Sequence, residues 1–305
     1  MTKHYGIICA FITALIWGSL PLIMKFGLEV FSGTFISFTR IFGTFIILYI
    51  YFKIKGEKII ILKNKLVVLA GLTIAMNYLA FIHGLQLSIA ITTEIIAQFG
   101  CILMICVGIL VLKEQVNKYK IIGIILSVTG VFIVIWNGAN WLNFLNETHL
   151  IGSLIVLCSA IIWPIYGYTQ VVTNRKLDPL MGLLTIFFYA SIFIVPIGLL
   201  ETVIYEHNII FNLKNIFLLL ILILAALIPY VTLAKSYKYI ESSTTTIIIL
   251  STIIITPILS TVLKSLGYSI FNNEIVTTFT VVGGLLIFIG ITLAVKSLQK
   301  TKLSV

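Results

Sequence analysis

The chain has 305 residues, 60% of them hydrophobic and 10% charged, with a net charge of +10. A soluble domain carries about 25% charged residues; with less than half that supply, a soluble sphere would expose apolar patches beyond what monomers tolerate. Intrinsic disorder is excluded by the hydrophobicity, so the composition specifies a polytopic membrane protein.

A helix needs about 20 apolar residues to cross the hydrocarbon core, and such runs follow one another along the chain. The first extends from Tyr5 to Met24 and ends at Lys25. The second, Gly33 to Phe52, contains Arg40 and ends in the basic loop Lys53 to Lys65. The apolar stretch Leu66 to Leu112 is too long for one span, and Gln86 and Ser88 divide it into Leu66 to Leu87 and Ile89 to Leu112. A fifth span covers Ile121 to Trp136, and the polar segment Asn137 to His149 follows. The second half repeats the layout with Leu150 to Val172, Leu180 to Val203, Asn215 to Ala234, Ser243 to Leu263 and Ile275 to Val295. The expected fold is therefore all-α, ten transmembrane helices in two sets of five. The expected units are residues 1–136 and 150–305 joined by a connector at 137–149. The first span has full length and no small-x-small cleavage site, which reads as a membrane helix and not a signal peptide.

With ten spans both termini share a side, and 16 of the 20 basic residues fall there; Lys25, Lys214 and Lys264 fall on the other and Arg40 within a span. That asymmetry places both termini in the cytoplasm. The surplus of positive charge is thus a topology signal in a cytoplasmic membrane protein, not a surface for nucleic acid. Cys9, Cys101, Cys106 and Cys158 lie in apolar runs without C-x-x-C spacing or a histidine or carboxylate set, and read as packing or lipid-facing residues, with no metal site and no cofactor expected.

The two halves also share a pattern. Gly6, Ala14, Ile16 and Trp17 align with Gly152, Ala160, Ile162 and Trp163, and Gly123 and Gly130 of span five match the spacing of Gly283 and Gly290 of span ten. Five is odd, so the second repeat starts on the opposite side from the first and the repeats are inverted. Many secondary transporters are built this way, with a midplane site between the repeats that is exposed alternately to each side.

The sequence resembles the drug/metabolite transporter superfamily, in particular its EamA-type members, over essentially its whole length. The resemblance rests on Trp17-Gly18-Ser19-Leu20-Pro21 with Lys25, Arg40, Gly84-Leu85-Gln86-Leu87-Ser88, Lys113-Glu114, the Gly-x6-Gly pairs, Trp163, Tyr237-Lys238-Tyr239-Ile240, Pro257 and Glu274. It implies an inner-membrane carrier of small metabolites, often an exporter of amino acids or related compounds, with a central cavity lined by both halves. The chain departs from the family in having no first-half counterpart of Pro257, and in carrying the polar pair Glu94 and Gln98 in span four.

Ionisable groups at membrane depth are functional hypotheses by default. Arg40, Glu94 and His83 lie about 10, 8 and 6 Å below the same ends of their spans, close enough in depth for Arg40 and Glu94 to pair. Arg40 either recognises a substrate carboxylate or outer gate, or satisfies helix-end carbonyls. Glu94 either binds an amine or carries a proton, or neutralises Arg40. His83 reads as an interfacial residue or a proton site. Nearer the midplane, Trp17, Asn77, Glu94, Gln98, Trp163, Tyr166 and Tyr168 are the expected cavity residues, suited to a compact solute with an apolar or cationic part. Glu114, among Lys113, Lys118 and Lys120, reads as a structural ion pair or an inner gate. Pro21, Pro164, Pro196, Pro229 and Pro257 mark bends that serve either packing or motion.

The function expected is a secondary transporter for an amino acid or related zwitterionic or amine compound. A flippase or exporter of lipid-linked or drug-like solutes is the alternative, and an intramembrane enzyme comes third. Asp178 is the single aspartate, and neither H-E-x-x-H nor G-x-S-x-G occurs, so no catalytic residue is expected. A small-molecule substrate and the bilayer are the partners; the chain is read as monomer or homodimer.

Overall fold

The computed structural model describes residues 3–138, 147–204, 212–272 and 276–300. Ten helical segments fill it, with no strand among the described residues: α1 Lys3–Leu28, α2 Gly33–Ile54, α3 Lys65–Leu87, α4 Ala90–Cys106, α5 Lys118–Gly138, α6 Glu147–Asn174, α7 Pro179–Ile204, α8 Leu213–Tyr239, α9 in two pieces, Ser242–Ile249 and Thr252–Ser265, and α10 Thr278–Lys300. α4 continues in a π turn at Val107–Val111. Among the described residues nine of these helices are long and apolar enough to cross a membrane, and α5 has 21 residues. Glu274 and most of the connector, 139–146, lie outside the described residues.

The helices start where polar side chains can satisfy their first N–H groups. Ser32 Oγ accepts from the Phe35 amide, Asn64 Oδ1 from Leu66 and Asn212 Oδ1 from Asn215. Apolar periodicity does not register such caps, which is why α5 begins at Lys118 and not at Ile121. A second difference concerns the ninth span: α9 breaks at Leu250–Ser251, six residues before Pro257, where the Ser251, Ile253 and Ile254 amides all bond three residues back.

The packing follows the repeat. α1 lies along α8, and α6, the counterpart of α1, lies along α3, the counterpart of α8. α2 meets α7, α4 meets α9 and α5 meets α10, each helix against its own counterpart. The same polar clasp recurs in both equivalent interfaces. Four residues before Trp17, Thr13 Oγ1 lies 2.7 Å from Thr232 Oγ1 of α8; four residues before Trp163, Ser159 Oγ accepts from Asn77 Nδ2 of α3 at 2.9 Å.

Where helices touch most closely they use glycine, since lipid gives apolar surface no reason to associate and backbone approach must supply the contact. A β-carbon at Gly130 would lie 2.5 Å from the Gly283 carbonyl oxygen, and one at Gly123 would lie 2.7 Å from that of Gly290. The matched Gly-x6-Gly pairs of the two halves are therefore pressed on each other.

The start of α1, the end of α10 and the loops after α2, α4, α6 and α8 lie at one end of the bundle, here the terminal face. All three ion pairs among the described residues are there: Lys55 with Glu57, and Lys120 with Glu114 and with Glu241.

Candidate functional site

The middle of the bundle holds a cavity of about 680 Å³ of empty space, its mouth included, walled by α1, α2, α3, α4, α6, α8 and α9. α5 and α10 contribute nothing to it.

Its walls are aromatic. The rings of Trp17 and Trp163 meet edge to face at 5.8 Å, and Trp17 meets Tyr230 in the same manner at 5.4 Å. Tyr230, buried on α8, is the hub of this cluster, with Tyr78, Tyr166 and Phe187 at 6.0, 5.2 and 5.3 Å. Such pairs favour offset and edge-on geometry because ring faces are negative and edges positive.

Two charges line the cavity. Arg40 is 3% exposed; its guanidinium carbon sits 4.6 Å from the Tyr78 ring centroid and its Nη1 donates to the Met24 sulfur at 3.4 Å. Its Nε, fully buried, has no partner. Glu94 is 6% exposed, and its Oε1 accepts from Gln98 Nε2 at 2.6 Å. That amide also lies 2.9 Å from Thr252 Oγ1, across the interface of the halves. The Gln98 carbonyl oxygen, Oε1, is buried without a partner. No ion pair joins Arg40 to Glu94, which corrects the expected pairing. The reason is local: Arg40 is held by a ring face and a thioether, and Glu94 by the side chains four residues along its own helix and on α9.

Of the expected cavity residues, Trp17, Asn77, Glu94, Gln98 and Trp163 line the space together, and Arg40 joins them. Tyr166 and Tyr168 do not. A helix turns about 100° per residue, so Tyr168, five residues beyond Trp163, points well away from the cavity, while Tyr166 lies beneath it, fully buried. His83 sits apart from the lining, its Nε2 3.2 Å from Thr34 Oγ1 and its Nδ1 2.8 Å from Gln86 Oε1. Glu114 is at the terminal face, where its carboxylate accepts from the backbone and side chains of Ser242 and Ser243. Among the cysteines, Cys9 and Cys101 are buried, Cys101 packing in the hydrophobic core and also lining the cavity, while Cys106 and Cys158 are exposed. No cluster of three metal-ligating side chains occurs among the described residues.

Tyr78, Tyr230 and Thr252 are lining residues that the sequence reading did not single out. One signal for this region was present. Counted from the first residue of each helix, Thr92-Thr93-Glu94-Ile95-Ile96 of α4 matches Thr244-Thr245-Thr246-Ile247-Ile248 of α9. The halves agree at four of these five positions and differ at Glu94, so internal comparison marks the carboxylate as the one-sided addition.

A model of the EamA-like transporter family matches residues 4–136 and 150–296. The chain is similar to the uncharacterized inner membrane transporter YhbE of Escherichia coli K12, 26% identical over 200 residues, a stretch that covers 63% of this chain and 62% of that relative. It is also similar to an uncharacterized transporter of Archaeoglobus fulgidus, 22% identical over 288 residues, covering 92% of this chain and 93% of the relative. A protein known from its crystal structure, 14% identical in sequence, shares the fold with a TM-score of 0.73 over 98% of this chain and 100% of its own.

Proposed function

The chain belongs to the EamA-like transporter family, and from that premise we propose that it moves a small zwitterionic solute, an amino acid or a related amine-bearing acid, across the membrane by alternating access. The observation that carries this reading is the pair Arg40 and Glu94, two buried opposite charges that line one cavity without contacting each other. A charge at the membrane centre costs about 2.5–3.5 kcal/mol on insertion scales. Two that could cancel each other, yet are held apart by other partners, leave room for a ligand that bears both complements.

Arg40 then takes the carboxylate, since a guanidinium matches its two oxygens, and Glu94 takes the ammonium. Trp17, Trp163 and Tyr230 enclose the apolar part of the solute and offer ring faces to its cationic end. Asn77 is committed to Ser159 and supports the wall. The halves 1–136 and 150–305 act as the two repeats. The excess of basic residues at the terminal face supports a cytoplasmic position for that face, in a cell whose cytoplasmic membrane holds the protein.

The test is a thermal-shift series on the purified protein with three matched ligands: an α-amino acid, the amine lacking its carboxylate, and the acid lacking its amine. A bound ligand stabilises the fold by mass action. The zwitterion gives the largest shift in the parent, Arg40→Ala removes the advantage of the carboxylate, and Glu94→Gln removes that of the amine. Equal responses in the parent and both variants would sink the assignment.

A further inference from the structure

A second space, about 900 Å³ with its opening, lies at the terminal face between the ends of α4, α6, α8 and the start of α9; Glu114, Val171, Arg175, Tyr237 and Lys238 are among its walls. It shares α1, α6, α8 and α9 with the central cavity, and Glu114 follows α4, which lines that cavity. Along α6 the lining passes from Trp163 to Val171, eight residues apart, a rise of about 12 Å. The two spaces are thus stacked in one direction through the bundle.

A layer of buried side chains separates them. Tyr166 and Met104 are fully buried in it and Tyr237 nearly so, and the Tyr166 hydroxyl has no hydrogen-bond partner. Gly167 is the point where they converge: a β-carbon there would lie 2.7 Å from the Met104 sulfur and 3.5 Å from the Tyr237 hydroxyl. Methionine is the most adaptable of the large apolar side chains, and here it seats against a residue with no side chain of its own. A buried hydroxyl without a partner is rare and calls for a reason. An arrangement in which the layer parts and water or solute enters supplies the missing partner.

On the terminal side of that layer the halves are fastened together. Glu114, just after α4 of the first half, receives hydrogen bonds from the Ser242 amide at 2.7 Å, the Ser242 hydroxyl at 2.5 Å, the Ser243 amide at 3.1 Å and the Ser243 hydroxyl. It so caps α9 of the second half, where a carboxylate is favoured by the helix dipole. Lys120, 1% exposed, bridges Glu114 at 3.4 Å and Glu241 at 2.6 Å. The backbone is bent to deliver this contact: α4 ends in the π turn, and Lys113 takes φ +55°, a conformation disfavoured for residues other than glycine. Strain retained beside a contact between moving parts is the kind found at switches.

We infer that the terminal-face space is the second vestibule of the transport path, sealed from the central cavity by Tyr166, Met104 and Tyr237 and locked by the cap of Glu114 on α9. The inference rests on the transport reading for its purpose, but the seal and lock are testable without any solute. Cys101 lines the central cavity and serves as the reporter. With Cys9, Cys106 and Cys158 replaced by serine, the full-length protein is placed in oriented vesicles and treated with a membrane-impermeant thiol reagent from each side in turn.

In that background Cys101 reacts slowly from the terminal face, and Glu114→Gln and Met104→Ala each raise that rate at least tenfold. Thermal melts of both variants establish that they are folded. The inference is overturned if either folded variant reacts no faster than the parent from the terminal face, or if the parent itself reacts equally fast from both faces. Failure of the zwitterion to bind would leave these rates untouched, so the two proposals fail separately.

Discussion

Trp17 and Trp163, which hold equivalent places in the two halves, meet edge to face at the cavity wall with their ring centroids 5.8 Å apart. Each indole is carried by a helix that is clasped to the other half, α1 to α8 and α6 to α3. Their contact therefore joins the two halves at the cavity wall, and the cavity is bounded by a pair that both halves must supply.

Such a pair contributes about 0.5–1.5 kcal/mol beyond its area. A double-mutant cycle with Trp17→Leu and Trp163→Leu, read by thermal unfolding in detergent, gives a coupling in that range. Strict additivity would mean that the two rings act independently.

Asn77 donates to both the carbonyl and the hydroxyl of Ser159, at 2.9 Å each. Interhelical hydrogen bonds of this kind in membrane proteins average about 0.6 kcal/mol. Asn77→Ala lowers stability by about that much or somewhat more, and Ser159→Ala, which leaves the carbonyl acceptor in place, by less. The comparison of melting temperatures checks the order, and a larger loss for Ser159→Ala contradicts it.

Gly130→Ala forces a methyl group to within 2.5 Å of the Gly283 carbonyl oxygen, whereas Gly284→Ala meets only the Ile254 side chain, at 3.2 Å from its Cγ1. Overpacking against backbone costs about 1–3 kcal/mol. Gly130→Ala is expected to reduce the yield of monodisperse protein and its melting temperature, and Gly284→Ala to leave both near the parent. Size-exclusion profiles of the two variants decide the matter.

Glu94 is held by the neutral Gln98 amide and joins none of the ion pairs among the described residues, so the reading in which it carries a proton has a direct test. Glu94→Gln in proteoliposomes removes the response of solute flux to an imposed pH gradient. If that response persists, proton coupling runs through another group.

The architecture was legible because lipid imposes it: run length and the placement of basic residues define ten spans, and an odd number of spans per repeat makes the repeats inverted. Much of the site was legible as well. Trp17, Asn77, Glu94, Gln98 and Trp163 announce themselves as polar or amphipathic groups in apolar runs, and they do line one cavity. Tyr166 and Tyr168 were misplaced because depth along a helix is readable from sequence whereas direction around it is set by packing. Arg40 and Glu94 share a depth for the same reason and yet do not pair. The roles of Tyr230 and Thr252 depend on how α8 and α9 fold against the other half, a relation no window of sequence contains. The break in α9 has no marker in the sequence, since it falls six residues before Pro257.

The glycine contacts of α5 with α10 bear on how such a molecule can move at all. Side chains can change rotamer and re-pack, but two backbones in contact have nothing to rearrange, and Val134 and Ile287 already fill the space that Gly283 and Gly130 leave. These two helices also stay clear of the cavity. If the protein works by alternating access as proposed, they are its stator, one post contributed jointly by both halves, and the moving parts are to be sought among the other eight.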